Sequence, residues 1–315
     1  MKNATGNNLA GSKKKFNRSF FLNWQLWVML LPAMLYIFVF CYIPMYGVQL
    51  AFREYSFASG ITGGKFVGLL YFKQYFNSPM FLTTIRNTFI LSATSIIVGF
   101  PVPVILAMII NQLKNRRWKR MVQTTVYIPY FISVVVMVSM LKIMLADNSG
   151  VVSNFLKDLH LVGKNVNLLG SALTFVPVYV LSGIWQSMGW NSIIFLAALS
   201  SVDSQLYDAC RIDGANKMQT MRHIDIPAIQ PTIIILLIMN MGGILNVGFD
   251  KIYLMQNSLN LGASQVISTY VYTVGIKSSQ FSFGSAVGLF NTLINFIFLV
   301  ITNFIAKRAT GTGLM

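Results

Sequence analysis

Long apolar runs, broken at intervals by basic or polar stretches, limit what this chain can fold into. The first runs from Trp24 to Ala51, WQLWVMLLPAMLYIFVFCYIPMYGVQLA, and holds no charged residue. A helix of about 20 apolar residues spans a hydrocarbon layer of about 30 Å. A secretory signal core is about 7–15 residues long and ends at a small-residue cleavage site. This run is longer, with Trp, Tyr and Pro in place of such a site, so it reads as a retained span. Five more runs follow at about 83–112, 122–145, 174–200, 231–249 and 283–306. Only 10% of residues are charged, against about a quarter in a soluble domain, so a water-facing surface cannot be covered in the usual way. The expected fold is an all-α polytopic membrane protein with six transmembrane helices. Its parts are a polar N-terminal tail (1–23), a transmembrane domain (24–308) and a short C-terminal tail (309–315).

The charges give the orientation. The formal net charge of +16 would suit a nucleic-acid binder, but the basic residues gather in alternate loops. The N-terminal tail, the KNRRWKR loop of Lys114 to Arg120, the 201–230 loop and the C-terminus together carry 15 Lys and Arg. The opposite loops carry 8, including Arg53, Lys142, Lys251 and Lys277, and Arg86 in the second span completes the 24. Short cytoplasmic loops are enriched in Lys and Arg, so both termini are expected in the cytoplasm and no nucleic acid is expected as a partner. The KNRRWKR run serves as an orientation signal, with anionic membrane lipid as a secondary contact.

Chemistry within the chain is hard to assemble. Cys41 and Cys210 fall on opposite sides in this topology, so no disulfide is expected. His160 and His223 are the only histidines, so no metal site is expected. There is no G-x-x-x-x-G-K-[ST], H-E-x-x-H or G-x-S-x-G, and four of the eight acids, Asp203, Asp208, Asp213 and Asp225, lie in one loop. No carboxylate sits deep in a span, where a proton-coupled transporter would place one; Asp250 and Arg86 come nearest. No catalytic residue is expected, and the chain reads as a passage whose energy comes from elsewhere. Pro101 and Pro103 predict a kink in the second span.

The 201–230 loop is the most informative segment. From Leu206 to Thr232 it reads as a short helix, a glycine break at Gly214 and a second short helix ended by Pro227 and Pro231. Asp203 or Ser204 is the expected cap of the first helix. Leu206, Ala209, Cys210 and Ile212 cannot all face water on so short a helix, so the pattern suits an amphipathic knob that docks on a protein.

Asp208-Ala209-Cys210, Gly214-Ala215 and Ile224-x-Ile226-Pro227 together resemble the E-A-A-x3-G-x9-I-x-L-P loop of bacterial ABC importer permeases. The Ile212-Asp213-Gly214-Ala215 core resembles the carbohydrate-importer version. Asp208 stands where Glu is usual, Cys210 where Ala is usual and Ile226 where Leu is frequent. Asn87-Thr88, the Pro101/Pro103 pair, Tyr127 to Ser133 and Gly150 to Asn154 are also similar to the polysaccharide-type permeases, so the likeness covers about residues 24–308. It implies the type I importer permease fold. It also implies a second homologous permease, two cytoplasmic ABC ATPases that bind ATP and Mg, and an extracellular sugar-binding protein. No cofactor is bound by this chain on that reading, and the cargo is an oligosaccharide, with a phosphorylated polyol as the other solute considered. Asp208, Ala209, Cys210, Asp213, Gly214, Ala215, Ile226 and Pro227 correspond to the ATPase-coupling motif.

The substrate pathway has weaker signals. In the sixth span Gly284, Gly288, Asn291 and Asn295 share one face, which suits helix packing or sugar hydroxyls. Asn240, Asn246 and Asp250 mark the fifth span, and Gln186 and Trp190 the fourth. These seven polar and aromatic residues (Gln186, Trp190, Asn240, Asn246, Asp250, Asn291 and Asn295) are the pathway candidates.

Overall fold

The structure is a computed structural model that describes residues 24–58, 60–147, 149–163, 166–311 and 313. The expected N-terminal tail, Lys164 and most of the last few residues lie outside the described residues. Among the described residues the regular structure is helical apart from two isolated antiparallel bridges, Arg53 to Phe66 and Ser56 to Gly60. It divides into two compact units, one ending at Gly68 and the other starting at Leu69.

The first unit holds α1 (Trp24–Phe52), whose apolar stretch is exposed along its length. A π turn at Phe38–Tyr42 and a 3-10 turn at Tyr46–Phe52 carry the helix past Pro44. The following loop folds back on itself, and Arg53 Nη1 donates to the Thr62 carbonyl at 2.9 Å and to that of Gly64 at 3.2 Å.

The second unit contains α2 (Met80–Asn111), α3 (Arg116–Phe131), α4 (Val134–Met144), α5 (Ala172–Ser200), α6 (Ser204–Ile212), α7 (Lys217–Met241), α8 (Phe249–Met255) and α9 (Phe281–Thr310). Among the described residues α1, α2, α7 and α9 are long and apolar enough to cross a membrane, and the α3–α4 pair adds a fifth crossing if counted as one broken span. Helix α5 has the length, with 29 residues, but polar positions such as Ser182, Gln186 and Asn191 dilute its apolar character.

Three expectations need correction. The third run is not one helix over 122–145. Its two parts are bent by 94° because Pro129 forces a 3-10 turn at Ile128–Phe131 and Ile132 and Ser133 are extended. Ser133 then caps α4 by accepting the Val136 N–H at 3.3 Å. Pro227 and Pro231 do not end the second helix of the 201–230 loop, which runs unbroken into the fifth span as α7. A π turn at Met221–Asp225 shifts the hydrogen-bond register just before Pro227, so the missing proline donor falls at the start of a new α segment. The fifth span also stops at Met241 rather than 249, and the chain turns before α8 begins at Phe249. In α2 a π turn at Ser95–Gly99 precedes Pro101, and the helix continues through both prolines. Helix α9 extends to Thr310, where Gly311 caps it with φ +70°.

Three apolar clusters hold the second unit together. Val104, Ala107 and Met108 of α2 pack against Phe195 and Leu199 of α5 and Ile229 of α7. Leu91 of α2 meets Met137 and Val138 of α4, Phe175 and Tyr179 of α5 and Ile252 of α8. Tyr75 and Ile244 join Phe283 and Val287 of α9. Helices α3 and α5 touch at Gly189, where a Cβ would stand 1.9 Å from the Val126 carbonyl oxygen. Asn87 and Thr88, both buried, clamp α2 to the segment before the last span. Asn87 Nδ2 donates to the carbonyls of Gly262 (2.9 Å) and Gln265 (3.1 Å), and Thr88 Oγ1 accepts the Ile267 N–H at 3.0 Å. In a membrane such bonds satisfy groups that have no water to turn to.

Candidate functional site

Two features stand out in the second unit: the polar segment between α5 and α7, and a cavity among α2, α5, α7 and α8.

Local chemistry shapes the segment. Asp203 caps α6 by accepting the Gln205 N–H at 2.9 Å. The helix stops in a Schellman arrangement, with the Ala215 N–H bonded to the Cys210 carbonyl (2.9 Å) and the Gly214 N–H to that of Arg211 (3.2 Å). Gly214 has φ +74°, a conformation that any side chain would strain. Asn216 and Gln219 then form a reciprocal capping box that starts α7. Leu206, Ile212 and Met218 are exposed, which leaves apolar side chains facing outward on a short helix. Asp208 and Ala209 are exposed as well, and Cys210 is half-buried. Arg211 donates to Asp208 at 3.0 Å across the helix surface. Asp213, Gly214 and Pro227 are exposed, Ala215 half-buried and Ile226 42% exposed. The coupling-motif residues therefore lie on one continuous stretch, α6, its glycine stop and the start of α7.

Beneath that stretch is a buried carboxylate that sequence reasoning counted only as one of four loop acids. Asp225 is fully buried in the π turn of α7. Its Oδ1 accepts from the Tyr207 hydroxyl (2.7 Å) and Asn111 Nδ2 (3.4 Å), and its Oδ2 accepts from Gln112 Nε2 at 3.0 Å. One side chain thus ties α6 to the end of α2 and to α7. Burial first, then the adjacent Asp225 carboxylate, push the Tyr207 phenol up to about 12, so it stays protonated and keeps donating. The signal that would have singled out Asp225 is a carboxylate two residues before a proline at the mouth of an apolar run, where an unpaired charge is costly.

The cavity has a volume of about 620 Å³, within the range of ligand sites. Gln186 and Trp190 of α5 and Asn240 of α7 line it, together with Ser95 and Gly99 from the π turn of α2 and Lys251 of α8. Gln186 Nε2 donates to the Ile132 carbonyl at 2.8 Å, which braces the extended break between α3 and α4. Trp190 stacks on Tyr130, with ring centroids 4.5 Å apart and planes 3° from parallel. Asn240 turns its amide to the Leu236 carbonyl at 2.8 Å.

The remaining pathway candidates lie elsewhere. Asn246 Oδ1 accepts from both Asn291 and Asn295, each at 3.1 Å, and Asn295 Oδ1 accepts the Leu245 N–H at 2.8 Å. That amide cluster fastens the turn after α7 to α9. Asp250 is exposed and absent from the cavity wall. Its neighbour Lys251, counted from sequence among the outer-loop charges, is 8% exposed and faces the cavity. The one-residue difference is helical: α8 begins only at Phe249, so consecutive residues point to different sides.

Comparison with known proteins agrees with this architecture. Residues 99–311 match the family described as binding-protein-dependent transport system inner membrane component. The chain is 39% identical to Protein LplB of Bacillus subtilis (strain 168) over 289 residues, covering 92% of this chain and 90% of that one. It is 38% identical to the polygalacturonan/rhamnogalacturonan transport system permease protein YteP of the same organism, covering 92% and 89%. A crystal structure of a bacterial ABC transporter involved in the import of the acidic polysaccharide alginate includes a chain that superimposes with a TM-score of 0.84. That chain is 34% identical to this one, and the match covers 94% of this chain and 99% of that one. ATP is bound and hydrolysed in this family by a partner subunit, and the permease itself is non-catalytic and holds no cofactor. The chain belongs to the binding-protein-dependent ABC transporter permeases of the carbohydrate importer family, as a multi-pass protein of the cytoplasmic membrane.

Proposed function

We propose that this chain carries an oligosaccharide through the cytoplasmic membrane as one of two homologous permeases, driven by two cytoplasmic ABC ATPases that dock on the 201–230 segment. An extracellular binding protein supplies the sugar. On this reading α5 is the sixth crossing, with the α3–α4 pair as the third, and both termini lie in the cytoplasm as in a type I importer. Helix α5 is long enough to cross, and its polar positions face the cavity and α3 rather than lipid. An oligosaccharide is favoured over a phosphorylated polyol because the relatives at 38–39% identity include one named for polygalacturonan and rhamnogalacturonan.

The observation that carries the proposal is the wiring of the coupling segment. Helix α6 presents Leu206 and Ile212 outward, yet Asp225 beneath it bonds α6, α2 and α7 together. A push on α6 by a closing ATPase dimer therefore reaches two spans through one buried carboxylate rather than dissipating in a loose loop.

Gly214→Pro tests this. Proline fixes φ near −65° and lacks the N–H that bonds Arg211, so it cannot adopt the turn at φ +74°. The chain is expressed with its partner subunits and purified in mild detergent. The expected result is normal membrane insertion with weakened ATPase co-purification and loss of binding-protein-stimulated ATP hydrolysis. Wild-type stimulation in the variant would overturn the coupling assignment.

A further inference from the structure

We propose that Lys251 is a specificity-determining residue for this permease, and that its ammonium meets the carboxylate of a uronic-acid unit as an acidic oligosaccharide passes the cavity. The proposal rests on the oligosaccharide reading above and narrows it to a charge class.

Lys251 projects from α8 onto α5, where its Nζ donates to the Tyr179 carbonyl at 2.7 Å and lies 4.6 Å from the centre of the Tyr179 ring. The ammonium sits so close to Gly183 that a Cβ there would be 3.1 Å from it. No carboxylate pairs with Lys251 among the described residues. An ammonium has three donors, and here one carbonyl and one ring face answer it. Buried charges are ordinarily paired, and an ionisable group held within a membrane protein marks a pathway or site more often than a packing contact.

The rest of the wall adds no ionisable acid or second cation. It offers amides from Gln186, Asn191 and Asn240 and the Trp190 ring stacked on Tyr130. Amides suit sugar hydroxyls, an aromatic face suits the C–H side of a pyranose, and a lone buried cation suits a carboxylate. A neutral sugar would leave that cation without a counter-charge; a uronate supplies one in passing. The tether to Tyr179 keeps the attraction partial, which a transit site needs if the cargo is to leave again.

The test uses the complete importer in proteoliposomes, with the binding protein preloaded to equal occupancy with trigalacturonate or with its methyl ester. Uptake of each sugar is measured for wild type, Lys251→Met and Lys251→Arg, with assembly of each complex checked by size exclusion. Wild type is expected to import the acid at least about tenfold faster than the ester. Lys251→Met should abolish that preference by slowing the acid, and Lys251→Arg should retain most of it. A Lys251→Met complex that keeps the preference would show that the lysine only pins α8 to α5, and would overturn the proposal. Equal import of both sugars by wild type would overturn it too, while leaving the oligosaccharide reading in place. Import of neither would remove both.

Discussion

The coupling segment and the cavity satisfy their polar groups in opposite ways. From Asp203 to Gln219 the partners, those of Tyr207 apart, are near neighbours: Asp203 with Gln205, Cys210 with Ala215, Asn216 with Gln219. The segment is a preformed part whose apolar side chains are turned outward. The cavity wall is assembled from four helices, and its longest-range bonds, Gln186 to Ile132 and Lys251 to Tyr179, cross between elements. A part built from local contacts can move as a unit, whereas a wall of cross-element bonds changes shape whenever those elements shift. That division suits a machine in which force enters at one place and a pathway rearranges at another. Asp225 is the joint, since it bonds one residue of α6, the last residue of α2 and Gln112 just after it.

The largest expected effect comes from breaking the joint. Asp225→Leu strands the donors of Tyr207 and Gln112, both half-buried, while Asn111 keeps its bond to the Tyr207 hydroxyl at 3.2 Å. Each unsatisfied buried group costs about 1–3 kcal/mol, so with two such donors a loss of about 2 kcal/mol or more is expected, read as earlier thermal unfolding of the detergent-solubilised complex. Asp225→Asn keeps one acceptor oxygen for Tyr207 and should lose roughly half as much. If Asp225→Leu unfolds no earlier than wild type, the segment and the spans are not joined through this residue.

A smaller effect tests the wall. Gly189→Ala would place a Cβ 1.9 Å from the Val126 carbonyl, so α3 and α5 must separate. Overpacking of this kind costs about 1–3 kcal/mol. Because Tyr130 and Trp190 belong to the same pair of helices, their stacking should loosen too. The readout is a change in tryptophan emission together with slower sugar uptake; unchanged emission would mean the wall absorbs the methyl without moving.

The same contrast governs how much was readable in advance. Caps, the glycine stop and the outward apolar residues of α6 depend on side chains within a few positions of one another, so the local pattern placed the short helix and its stop at Gly214. Unbroken apolarity likewise placed the long helices, apart from the break in the third run and the early end of the fifth. What the sequence hid were features set by distant partners. Pro227 looked like a helix end, yet a π turn carries α7 past it. Lys251 looked like an outer-loop charge, because nothing near it in sequence announces that Tyr179 of α5 receives it. Asp250 looked like one of the pathway residues because it shares a side of the expected fifth span with Asn240, and the start of α8 turned its neighbour to the cavity instead.

The smallest stability effect should accompany the clearest functional one. Asp208 is 66% exposed and pairs with Arg211, which is 67% exposed. Exposed pairs of this kind contribute about 0–1 kcal/mol, so Asp208→Lys should barely shift the unfolding midpoint. On the proposed docking surface, however, it replaces an acid with a base beside Arg211 and reverses the charge a partner would meet. Reversed charge at an interface acts chiefly through encounter and register. The variant should therefore assemble with its partner permease while losing affinity for the ATPase, with a deficit that shrinks as salt screens it. A loss of affinity insensitive to salt would point to a change in the shape of α6 rather than in its charge. No loss at all would move the contact to Leu206 and Ile212, and a Leu206→Ser variant would then carry the effect that Asp208→Lys did not.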